Sequence, residues 1–184
     1  MSLALAQVID ETSLTDQVRA FVQADLPPLV DAIDSGALYP ADFMRKLGSL
    51  GAFGSHAEVK GVDLNPAIDA MSEVAEVCGS TGFMTWCQDA LVWYVANTDN
   101  AALKEKLLAR VASGAMLGGT GLSNPMKSFF GIEKLKLKGK RVEGGYEVNG
   151  ALPWVSNLGP EHVFATIFET PDGEKVMFVA DCAD

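Results

Sequence analysis

Histidine is nearly missing from this chain, and cysteine has no spacing that suits a metal. The two histidines, His56 and His162, stand far apart, and Cys78, Cys87 and Cys182 are odd in number and scattered. A zinc or iron centre has no ligand set to draw on, so no metal is expected. Nor do three cysteines make a disulfide framework. Two of them fall in helical patterns and read as reduced core thiols of a cytoplasmic protein. Long apolar runs are lacking too: no window reaches the roughly 18 apolar residues of a membrane span. The opening MSLALAQVID has no basic stretch before its short apolar run, so it does not read as a secretory leader. Positive charge is scarce as well. With 14 Lys and Arg against 24 Asp and Glu the net charge is −10, and nucleic acid would be repelled over most of the surface.

What the chain does have is apolar side chains, 48% of its 184 residues, enough to bury a core in one ordinary domain or two small ones. One stretch runs against the acidic balance. Lys127, Lys134, Lys136, Lys138, Lys140 and Arg141 fall within fifteen residues that hold a single acid, Glu133. It reads as the solvated face of a strand; the sharper alternative is a landing place for a small phosphorylated ligand.

The hydrophobic period changes once, near residue 114. Before it the spacing is helical. Ser13 and Asp16 resemble a capping box ahead of Val18, Phe21 and Val22, and Pro27-Pro28 must break that helix. A short helix follows Pro40, with Phe43, Met44, Leu47 and Leu50 as its stripe and Gly51 at its end. Asn65-Pro66 opens a third, whose inner face is read as Ile68, Met71, Val74, Ala75 and Cys78, with Gly79 closing it. A fourth, TGFMTWCQDALVWYVAN, is apolar nearly all round and is expected in the middle of a bundle. A fifth turns Leu103, Leu107 and Val111 inward and ends before Gly114.

From Ala115 the signals are those of strands. EKLKLKGK alternates, placing Leu135 and Leu137 on one face and Lys134, Lys136 and Lys138 on the other. RVEGGYEVNG reads as a hairpin about Gly-Gly, and HVFATIFE and KVMFVAD as strands joined by Pro171-Asp172-Gly173. The fold class is therefore α+β: an all-helical bundle over 1–113, then an antiparallel sheet or partial barrel over 114–184. So few strands leave an edge exposed, and association with another copy or continuation into a longer protein is expected.

One segment asks for a purpose. In NGALPWVSNLGP, breaks on either side leave Trp154-Val155-Ser156 as a strand too short to need an indole for its own packing. The order of motifs supplies one. YPADFMRKLGSLGAFG, the three-helix run from DAMSEVAEV to AMLGG, GLSNP and NGALPWVSN together resemble the acyl-CoA dehydrogenase family of flavoproteins over almost all of residues 14–180. The resemblance implies FAD as cofactor, with Trp154, Val155 and Ser156 along the flavin ring and Leu122 and Ser123 beside its pyrimidine end. It implies Ser128 as a substrate contact, an acyl-CoA or other acyl thioester as substrate, and an electron-transfer acceptor.

The sequence also departs from that family. Beyond Pro125 the usual Gly-Ala-Gly-Ser-Asp is replaced by MKSFFG, and Asn124 stands where the family has an acid. The family's catalytic glutamate lies in a C-terminal helical domain that does not follow residue 184, so no catalytic residue is assigned and the chain alone is expected to be inactive. Two other readings stay open: a flavin-dependent monooxygenase or oxidase on the same fold, and a flavin-free binding or assembly subunit.

Overall fold

A computed structural model of the chain describes residues 13–57 and 63–182; the opening segment weighed as a leader lies outside them. Helix α1 (Leu14–Asp25) starts where the Ser13 side chain accepts the Asp16 N–H at 3.1 Å and donates to its carboxylate. Pro27 ends it in a single 3-10 turn, Pro27–Leu29, and a short α2 (Val30–Asp34) follows. Helix α3 (Ala41–Ser49) buries Phe43, Met44 and Leu47. Next come α4 (Asn65–Val77), α5 (Gly79–Ala96) and α6 (Ala101–Ala112). Cys78 alone separates α4 from α5, and its sulfur accepts the Thr81 N–H, so Gly79 begins a helix rather than closing one.

The buried face of α4 matches the expected one only in part: Val74 and Cys78 are buried as read, Met71 is half-buried, and Ala75 is exposed. Ala67, Ala70 and Val74 are inside, while Ile68 is 51% exposed. Small residues are selected where α4 packs between α1 and α5, and the larger Ile68 is turned outward. Helix α5 corrects its reading in a similar way. Gln88, Leu91, Val92 and Val95 are buried, but Phe83 and Trp86 are 53% and 44% exposed.

The sheet contains β1 (Gly118–Thr120), β2 (Lys138–Val142), β3 (Gly145–Asn149), β4 (Val163–Glu169) and β5 (Lys175–Asp181). Both hairpins, β2–β3 and β4–β5, are antiparallel as read. The sheet as a whole is mixed, however, because β1 and β2 run parallel to β4, at its start and its end respectively. The chain leaves β1 and makes a long excursion before re-entering beside it at Val163, the kind of connection that permits parallel neighbours. Part of that excursion is a helix absent from the sequence reading, α7 (Ser123–Phe129). Leu135 and Leu137 are buried and the neighbouring lysines exposed, yet the ladder begins only at Lys138. One hydrophobic cluster runs unbroken from α1, α3, α4, α5 and α6 into Leu117 and the β4 residues Val163 and Ala165.

Candidate functional site

The Trp154–Asn157 segment is held to β1 by close backbone approach. The Ser156 N–H donates to the Thr120 carbonyl at 3.1 Å, a single bridge rather than a strand. A side chain at Gly119 would run into the Ser156 carbonyl, and one at Gly118 into Val163, so both positions need glycine. Asn157 fixes the far end. It adopts φ 61, a left-handed conformation that asparagine tolerates better than most residues. Its Nδ2 donates to the Gly118 carbonyl at 2.7 Å, its Oδ1 accepts the Tyr39 hydroxyl at 2.8 Å, and its carbonyl lies 3.0 Å from Nδ1 of His162. One side chain thus ties this loop to both the helical and the sheet parts. Burial raises the Tyr39 phenol to about 12, against the lowering effect of its bond to Asn157, so it stays a donor.

With its base fixed, the loop leaves Trp154 69% exposed. The indole borders a cavity of about 490 Å³ lined also by Phe83, Trp86, Tyr94, Thr120, Leu122, Ser123, Met126 and Ser156. Four of the five residues read as flavin contacts, Leu122, Ser123, Trp154 and Ser156, meet here from two separate loops. Val155 is half-buried and outside the lining. Ser128, read as a substrate contact, sits on the last turn of α7 and does not reach this cavity, because the helix carries it away from Ser123. Phe83 and Trp86, which share the lining, stack with ring centres 5.6 Å apart. The near-continuous hydrophobicity of α5 conceals them in the sequence, since it masks which face is open. Beneath the loop, the Ser156 hydroxyl bonds to the Cys87 thiol, which burial pushes up to about 12. None of the residues lining this cavity is a carboxylate or a histidine.

The junction beneath it rests on Gln88. Its Nε2 donates to the Val111 and Met116 carbonyls at 2.8 and 3.0 Å, and its Oε1 accepts the Gly118 N–H at 2.8 Å. Asn124, standing where an acid was expected, is occupied structurally. It donates to Glu133 and to the Lys134 carbonyl and accepts the Lys136 N–H, each at 3.0 Å. Most of the basic stretch is taken up in ion pairs: Lys127 and Lys136 share Glu133, and Lys138 pairs with Glu169, Lys140 with Glu147, and Arg141 with Glu174. That pattern suits a solvated face better than a phosphate landing place. No group of three or more potential metal ligands occurs among the described residues, and no described helix is long and apolar enough to cross a membrane.

Residues 10–115 match the acyl-CoA dehydrogenase N-terminal domain. The chain is 26% identical over 170 residues to the mitochondrial isovaleryl-CoA dehydrogenase of Bos taurus, covering 89% of this chain and 39% of that protein. It therefore spans well under half the length of that relative. Among solved structures, butyryl-CoA dehydrogenase from Megasphaera elsdenii superposes with a TM-score of 0.79 at 21% identity, covering 99% of this chain and 50% of that one. Glutaryl-CoA dehydrogenase from Mycobacterium smegmatis, in complex with FADH2, gives 0.76 at 23% identity, covering 91% and 44%. At those identities the structures speak for the fold, and the domain match, over more than half of the chain, speaks for descent. The chain belongs to the acyl-CoA dehydrogenase family.

Proposed function

We propose that the cavity between α5 and the Trp154 loop is one wall of an FAD site in an oxidoreductase that removes hydrogen across the α,β-bond of an acyl thioester. What supports the reading is one observation: Leu122, Ser123, Trp154 and Ser156, picked from two distant motifs, line the same cavity. FAD, when bound, supplies a two-electron acceptor. The chain's own residues offer what a planar heterocycle needs. Trp154 presents an indole face that stacks and excludes water, Ser123 and Ser156 present hydroxyls, and Leu122 an apolar edge. Phe83 and Trp86 leave apolar space for the acyl part. In this reading residues 1–113 form a helical domain that supplies the acyl-facing wall, and residues 114–184 a β domain that supplies the ring-facing one. A CoA or other thioester carrier, a separate electron acceptor and assembly into a homo-oligomer belong to the same proposal.

No acid or histidine lines the cavity, and a positioned base contributes about 10²–10⁴ in rate. The 184-residue chain given FAD, an acyl-CoA and an artificial acceptor is therefore expected to show no turnover; sustained substrate-dependent reduction would contradict this. In a flavin-loaded protein carrying these residues, Trp154→Ala is expected to weaken FAD retention by about 1–3 kcal/mol. Unchanged affinity and redox potential in that variant would remove Trp154 from the site.

A further inference from the structure

A second cavity, of about 320 Å³, lies on the other side of Trp86 and Tyr94, walled by His56, Leu64, Ala67, Ile68, Met71, Asp89, Ala90 and Trp93. Its volume is at the low end of small-molecule sites. Nearly all of its wall is apolar or aromatic, and its polar groups are unspent. Asp89 is 6% exposed and His56 2% exposed, yet both Asp89 carboxyl oxygens and Nδ1 of His56 have no hydrogen-bond partner. Buried polar groups are rarely left so, since each costs about 1–3 kcal/mol.

The chemistry of these atoms is one-sided. Nε2 of His56 lies 3.3 Å from the Asp89 carbonyl, which accepts its proton and leaves Nδ1 as a bare acceptor. Burial lowers the His56 pKa, so the ring stays neutral. An ionised Asp89 adds only further acceptors. With Asp89 ionised the site presents acceptors only, and the ligand that suits it brings donors and no acceptor, the property of an ammonium group. Trp86, Trp93 and Tyr94 supply aromatic faces that attract a cation, and a net charge of −10 draws cations toward the protein. Ile68 and Trp86, half exposed or nearly so, stand at the rim. We propose that this cavity binds the ammonium group of a small apolar amine between Asp89 and Nδ1 of His56, with the hydrocarbon part against Trp86, Trp93 and Tyr94. The proposal stands apart from the flavin reading and survives its failure.

The pH behaviour follows from Asp89, whose carboxyl burial raises to about 8. The other titratable groups in the lining are His56, from the turn after α3, and Tyr94, on α5 itself; the α4 side contributes only apolar residues. At neutral pH the free carboxyl holds a proton, so pairing with an ammonium ion releases one proton to the buffer. Affinity should rise about tenfold per pH unit up to about 8 and level off above it.

The test is calorimetric titration of the chain with 2-phenylethylammonium and with its neutral counterpart 2-phenylethanol, between pH 6 and 9. Saturable amine binding is expected, with about one proton released per ligand at pH 6.5, fading by pH 9. The alcohol should bind at least tenfold more weakly at pH 8.5 and show no pH dependence. Asp89→Asn, checked for its fold by circular dichroism, should lose both the pH dependence and at least tenfold in amine affinity. Absence of saturable amine binding at pH 8.5, equal binding of amine and alcohol, or an unaffected Asp89→Asn variant would each overturn the proposal.

Discussion

Burial alone governs Asp89: its carboxyl sits near 8 against an ordinary 3.8, with no hydrogen bond to offset the desolvation. The sign of the consequence is fixed by that order. Below about pH 4 the group is protonated in both the folded and unfolded chains and leaves stability unaffected. Between about 4 and 8 the unfolded chain ionises first, so stability falls by about 1.4 kcal/mol per pH unit. Above 8 the loss is complete and constant. Asp89→Asn cannot ionise and should lack this slope. Urea unfolding at pH 5 and at pH 8.5 is expected to show the variant gaining on the wild type by a few kcal/mol as pH rises. Parallel stabilities across that range would mean that the carboxyl finds water or a partner.

At the scale of elements, Gln88 joins the end of α6, the turn at Met116 and the start of β1 through a single buried amide. Gln88→Ala removes three hydrogen bonds and strands backbone groups, with about 1–3 kcal/mol at stake for each one left unsatisfied. A loss of roughly 3 kcal/mol or more in denaturant unfolding is expected; a loss under 1 kcal/mol would show that the junction rewets without strain. Gln88 also shows what a sequence withholds. Caps, breaks and hairpins were readable because they are local: Ser13, Pro27 and Gly51 each act on neighbouring residues. The β2–β3 hairpin was found too, though its turn is Glu143–Gly144, with Gly145 already in the strand rather than part of a Gly-Gly turn. The partners of Gln88 and Asn157 are fixed by tertiary approach, and nothing near them in sequence announces it. Helix α7 was missed for a related reason, since strand signals on both sides outweighed seven residues carrying a proline in their first turn. Trp154 was the opposite case. Breaks on both sides left it without a packing role of its own, so its exposure beside a cavity was readable in advance.

For the whole molecule, the unbroken cluster from α1 to β4 leaves no seam at which helices and sheet could part. Far-UV circular dichroism, which follows the helices, and tryptophan fluorescence are expected to report one coincident urea transition. Two separated transitions would mean that the helix–sheet contact contributes little. The thiols carry this further, as a record of how the molecule opens. Cys78 and Cys87 are buried and Cys182 half-buried, with all three free. Cys87 lies beneath Ser156, while Cys78 lies at the α4–α5 joint. A thiol reagent followed by intact mass therefore dates two different events. Lifting of the Trp154 loop admits label to Cys87 while Cys78 stays shut, and full unfolding admits it everywhere. A doubly labelled population that precedes the triply labelled one would time-stamp a loop that breathes on a molecule still folded.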